Sequence, residues 1–138
     1  MISLIAKYPT ASILCTGHSL GGALALVGGL RLKEKFPKQK VEVHSFGQPR
    51  IGNKALSTYA HKTIDTTYRV VHNRDLVPHL PFEWMDFHHS AYEVFFNEQM
   101  TDYKICAESG EDNSCSNKFY PAYNPGDHDF YFYDTIHC

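Results

Sequence analysis

The segment Gly17-His18-Ser19-Leu20-Gly21 places a serine between two glycines, after an apolar run and before a string of small residues. A serine hydroxyl is a weak nucleophile until a base takes its proton and an acid orients that base. The pattern alone decides little, since roughly one chain in twenty of this length carries Gly-x-Ser-x-Gly by chance. Its context decides more. The run Ala11 to Gly17 reads as a strand and Leu20 to Phe36 as a helix, so Ser19 falls on the sharp strand-to-helix turn of a nucleophile elbow. A Cβ at position 17 or 21 is expected to crowd that turn. The amide of Leu20, at the helix N-terminus beside the nucleophile, is expected to be one oxyanion donor. The competing reading is a glycine-lined turn with no chemistry.

In such an arrangement the acid and then the histidine follow the serine along the chain. Asp75, in "VVHNRDLVPH", lies a few residues beyond a strand, at the same carboxyl end as Ser19. Counting cannot choose the base among nine histidines. After Asp75 stand His79, His88, His89, His128 and His137. His79, between Pro78 and Pro81, reads as fixing its loop. His88 and His89 introduce a strand, where neighbours face opposite ways. His128, in the turn-rich "YNPGDHDFYF", could swing over Ser19 from outside the sheet, yet on the residues alone the choice stays open. No cofactor is needed for such chemistry. A metal centre is a poor reading, because His-Glu-x-x-His is absent and the histidines lack ligand spacing.

Elements must position these groups. Residues 2–8 look like the end of a helix stopped at Pro9. "ASILCTG" suits a strand buried on both faces, with Cys15 a buried small hydrophobe. The helix 20–36 carries Gly21, Gly22, Gly28 and Gly29, each costing about 1 kcal/mol, which is tolerable where helix and sheet backbones approach closely. Residues 41–47 and 67–72 read as strands and 53–63 as a helix. Strand, helix, strand, helix, strand at this spacing is an α/β pattern with a mostly parallel sheet. Past Asp75, "AYEVFF" is a further strand, followed by a cysteine-closed hairpin and aromatic-rich loop. The aromatics of "FEWMDF" and "FYFY" read first as core, and second as the rim of a lipid-facing surface.

The whole chain bounds the function classes. Its 138 residues, 43% apolar, suffice for one domain or part of one. A net charge of −2 without a basic stripe argues against a nucleic-acid partner. No apolar run is long enough to span a bilayer, and "ISLIAKYPT" after Met1 lacks the features of a signal peptide. Of four cysteines, Cys106 and Cys115 bracket the polar "AESGEDNS". A disulfide closing that loop would contribute roughly 2.7 kcal/mol and would place the protein in an oxidising, extracellular compartment. Cys138 is left over, which suggests a partner missing from this chain.

Four ordered motifs, "GHSLGGALA", "FGQPRIGN", "NRDLVPHLP" and "GDHDFYF" before a terminal cysteine, resemble the class 3 lipases. The resemblance runs over nearly all 138 residues. It implies an α/β-hydrolase fold with Ser19 as nucleophile, Asp75 as acid and His128 as base. It also implies that Pro49 and Gly52 shape a turn beside the elbow, that Cys106 pairs with Cys115, and that Cys138 pairs with an N-terminal cysteine. Members of that family carry a further N-terminal half with several strands, a lid and the second oxyanion donor. On this resemblance residues 1–138 are the C-terminal part of such a domain, truncated at the N-terminus, acting on lipid acyl esters at a lipid–water interface. The rival expectations are a non-catalytic or unstable fragment lacking the second oxyanion donor and lid, or a feruloyl esterase or phospholipase of the same fold.

Overall fold

A computed structural model describes residues 2–132 and 134–135. Helix α1 (Ile2–Lys7) leads to strand β1 (Ile13–His18) and helix α2 (Leu20–Lys35). Strand β2 (Val41–Phe46), helix α3 (Lys54–Thr63) and strand β3 (Thr66–His72) follow, and then strands β4 (Glu93–Phe96) and β5 (Tyr103–Ile105). Two short strands, β6 (Phe130–Tyr131) and β7 (Asp134–Thr135), pair with each other. The main sheet runs β1-β2-β3-β4-β5, parallel from β1 to β4 and antiparallel at β5.

The period-2 alternation of a strand decides which face each side chain meets. In β2, Val41, Val43 and Ser45 are buried beneath the helices, while Glu42, His44 and Phe46 turn the other way. Leu26 and Leu30 of α2, Ala60 of α3, Val43 and Ile64 form one buried cluster, so both crossover helices cover the same face. The glycines of α2 divide by face. A Cβ on Gly29 would lie 2.6 Å from Val43 Cγ2, whereas one on Gly28 would meet nothing within 4 Å. Asn53 caps α3 by accepting from the Leu56 amide at 3.1 Å.

Three expectations need correction. Strand β1 is not buried on both faces: Leu14 is 57% exposed and Cys15 only half-buried, because among the described residues β1 forms one edge of the sheet and α2 covers one face. The hairpin is β4–β5, ahead of the cysteines. The Cys106–Cys115 disulfide is present, but it closes a loop of turns. There Asp112 accepts from the Ala107 and Ser114 amides at 2.9 and 2.8 Å, an alternative to a strand ladder. Of the aromatics of 82–87, Trp84 is not core, while Phe82 and Phe87 are half-buried. Trp84 is 78% exposed and Met85 exposed too, since a short 3-10 turn carries them away from the sheet.

Candidate active site

Strand β1 delivers Ser19 into a conformation an ordinary side chain seldom adopts, φ 55° and ψ −128°. Such a residue costs about 1–3 kcal/mol and persists only when its surroundings hold it. Here the Ser19 amide donates to Phe46 O at 2.9 Å, and the Gly22 amide donates to Ser19 O at 3.0 Å. A Cβ on Gly17 would stand 2.3 Å from Gly21 O, so glycine is needed at 17. The expectation for Gly21 is corrected, since a Cβ there meets nothing within 4 Å. Gly22 takes that role instead: a Cβ there would stand 3.0 Å from Gly17 O and 3.1 Å from Ser45 Cβ and Gln48 Cβ. The Leu20 amide opens α2, where no intrahelical acceptor exists.

Asp75 follows β3 through a tight turn and is fully buried. His128 sits in the 3-10 turn Pro125–Asp129, and two residues lock that turn to the segment bearing Asp75. Asp127 accepts from Asn73 Nδ2 at 2.8 Å, the Arg74 amide at 3.0 Å and Asn124 Nδ2 at 2.7 Å. His72 Nδ1 donates to Asp127 O at 3.0 Å.

These constraints bring the three side chains together. His128 Nε2 lies 2.8 Å from Ser19 Oγ, and His128 Nδ1 lies 3.0 and 2.9 Å from the two Asp75 oxygens. With Nδ1 donating to the carboxylate, Nε2 is left to accept the serine proton. The carboxylate is further held by the Val77 amide at 2.9 Å and Tyr131 Oη at 2.6 Å. Tyr131 is buried; burial, then the Asp75 charge, push its phenol well above its ordinary value, so it remains a donor.

Several contributors were not singled out in the sequence. Gly47 has φ +56°, and a Cβ there would stand 2.9 Å from Asp75 Oδ2 and from His128 Nδ1 and Cε1. The His18 ring lies 4.5 Å from that of His128, and its Nε2 donates to His128 O at 2.9 Å. Tyr131 falls three residues beyond His128, inside an aromatic run read only as core or rim. Proximity in sequence was the one available clue to it.

The other histidines are engaged elsewhere. His79 is buried and stacks on Tyr123 at 4.2 Å, in keeping with a loop-fixing part. His89 Nε2 donates to Pro78 O, and His88 Nε2 to Ser109 O at 2.9 Å. His137 and Cys138 lie outside the described residues; the disulfide that is described is internal to the chain. Two groups of metal-type ligands occur among the described residues. The sulfurs of the first, Glu93 with Cys106 and Cys115, are spent in the disulfide. In the second, Glu83 with His88 and Glu111, Glu111 is bound by Arg50 through two 2.8 Å contacts.

A family model for class 3 lipases matches residues 1–85. The chain belongs to the class 3 lipase family. The lipase of Rhizopus niveus is 34% identical over 131 residues, covering 93% of this chain and 33% of the relative. The native Rhizomucor miehei lipase propeptide complex superposes with a TM-score of 0.93 at 32% identity, covering 99% of this chain and 46% of that one. A second solved structure is of a triacylglycerol lipase whose catalytic centre is described as a serine protease triad. It matches with a TM-score of 0.89 at 33% identity, over 98% of this chain and 52% of that one. The fold is thus that of the α/β-hydrolases. This class 3 lipase chain spans about a third of the length of the curated relatives it matches.

Proposed function

We propose that the chain carries the acyl-transfer machinery of a serine ester hydrolase acting on lipid acyl esters at a lipid–water interface. The observation that carries this reading is the continuous path Ser19 Oγ to His128 Nε2 at 2.8 Å and His128 Nδ1 to Asp75 at 2.9 Å. Ser19 attacks the ester carbonyl while His128 takes its proton. Asp75, held by Tyr131 and the Val77 amide, steadies the resulting imidazolium. The Leu20 amide stabilises the oxyanion at the end of a helix whose dipole favours negative charge. His128 then returns the proton to the leaving alcohol, and water releases the acyl group from Ser19. The relatives named as lipases support the substrate class, and the disulfide supports an extracellular setting.

A fluorophosphonate probe followed by peptide mass spectrometry tests the reading. Ser19 is expected to be the labelled residue, and Ser19→Ala and His128→Ala to lower turnover roughly 10⁴- to 10⁶-fold, as for a triad member. Labelling that persists in Ser19→Ala would place the nucleophile elsewhere.

A further inference from the structure

Beyond the elbow, a cleft of about 370 Å³ opens between the loop that follows Asp75 and the stretch running from Asn113 to Tyr123. Its walls are aromatic. Phe82 and Trp84 stack with their planes 14° apart at 5.9 Å, and Tyr120 meets Tyr123 at 72° and 6.1 Å. The outer faces of Trp84 and Tyr120 stand open, 78% and 66% exposed.

The charge on the lining is one-sided. Arg50 is its only fixed cation, and its guanidinium is fully engaged: Nε and Nη2 donate to Glu111 at 2.8 Å each, and Nη1 donates to His79 O at 2.6 Å and Pro81 O at 2.9 Å. Burial would push the Glu111 carboxyl up, but the hydrogen bond and charge of Arg50 leave it lowered and ionised, so this pair is neutral overall. His79 is neutral as well, because burial and then the charge of Arg50 bring its pKa down to about 4. Glu83 remains. Its carboxylate is 51% exposed and reaches Arg50 only at 3.5 Å and Asn117 at 3.3 Å. The cleft therefore joins several electron-rich ring faces to one unbalanced negative charge, which repels anions.

A cation that offers no N–H donors and carries an apolar shell suits such a lining better than a primary amine. The amine would lose strong hydration for few acceptors, whereas methyl groups bearing spread positive charge pack directly on ring faces. We propose that this cleft binds a quaternary ammonium group, the trimethylammonium chemistry shared by free choline and choline headgroups.

The test needs no ester hydrolysis. Trp84 is the only tryptophan of the 138 residues, so intrinsic emission reports on the cleft directly. Choline chloride is titrated by fluorescence and calorimetry against 3,3-dimethylbutan-1-ol, its uncharged carbon isostere, and against ammonium chloride. Choline is expected to shift Trp84 emission and to bind at least tenfold more tightly than either control. Glu83→Gln should weaken choline about tenfold, and Trp84→Ala should abolish the calorimetric signal, with thermal midpoints unchanged because both side chains are exposed. Ser19→Ala should bind choline normally, so failure of the hydrolase reading and failure of this one are separable. Phosphatidylcholine and phosphatidylglycerol vesicles distinguish the sources: selective binding of the former, competed by free choline, assigns a headgroup, and binding of free choline alone assigns the soluble ligand. Equal affinity for choline and its isostere, or no response to choline, would overturn the proposal.

Discussion

At the scale of single residues, the site depends on a position that carries no functional group. Gly47 lies where any side chain would press on both the carboxylate and the imidazole, 2.9 Å from Asp75 Oδ2 and His128 Nδ1. Its left-handed φ of +56° adds strain for any other residue. Gly47→Ala should therefore move the imidazole off Ser19. Displacement of a reacting group by about 1 Å costs on the order of a hundredfold, so fluorophosphonate labelling should slow by about that factor. Gly28→Ala is the matched control, since a Cβ there meets nothing within 4 Å and lies on the solvent side of α2. Equal labelling rates for the two variants would mean that the 2.8 Å contact between His128 and Ser19 does not govern reactivity.

At the scale of elements, the loop between β3 and β4 is a rigid unit built on Arg50. That residue, 4% exposed, donates its amide to Leu80 O at 2.8 Å and its guanidinium to the carbonyls of His79 and Pro81. Glu111, from the disulfide-closed loop, grips the other side of the same guanidinium. The segment carrying Asp75 is thus braced from the far end of the chain. Two neutral histidines are sealed into this unit. Burial, then the charge of Arg50, lowers His79 from 6.5 to about 4; burial, then Arg69, lowers His89 well below its ordinary value. The unfolded chain takes up these protons near pH 6.5, whereas the folded chain takes up that of His79 only near pH 4 and that of His89 well below 6.5, so the unfolded state binds more protons in between. Stability is fully present above about 6.5 and falls as pH drops towards 4. At 1.36 kcal/mol per pH unit, His79 alone accounts for about 3 kcal/mol of that loss. Urea midpoints measured from pH 7 to pH 4 should decline steadily, and His79→Gln should flatten the decline. A flat profile in the parent chain would show that these imidazoles are not sealed from water.

At the scale of the whole molecule, the sheet is covered unevenly. Both crossover helices lie on one face, while Phe46, Val70, Val94, Phe96 and Ile105 line a concavity of about 450 Å³ on the other. An apolar surface of that kind attracts hydrophobic dyes even when the backbone is ordered. The 138-residue chain should enhance anilinonaphthalene sulfonate fluorescence while keeping its near-ultraviolet circular dichroism, and Ile105→Glu should reduce the enhancement by about half. Absence of dye binding by a monomer would mean that this face is closed in solution.

The sequence by itself determined the elements and their order. Hydrophobic period, glycine at the elbow and Pro9 as a stop are local properties, and strands at 13–18, 41–46 and 66–72 with helices between them stood close to where the pattern put them. Ser19 was legible for the same reason, because a strand-to-helix turn is written in adjacent residues. Asp75 and His128 were named through chain order and family resemblance, since the residues alone left five histidines open. Only the tertiary structure decided that His128 meets Ser19 across 109 positions of sequence, that Tyr131 donates to Asp75, and that Gly47 clears the space between them. It also turned Trp84 outward and left β1 half-covered, against the reading of apolar runs as core. Hydropathy says how much apolar surface a segment carries, while the crossover helices and the sheet edge decide which of that surface meets a neighbour and which meets water.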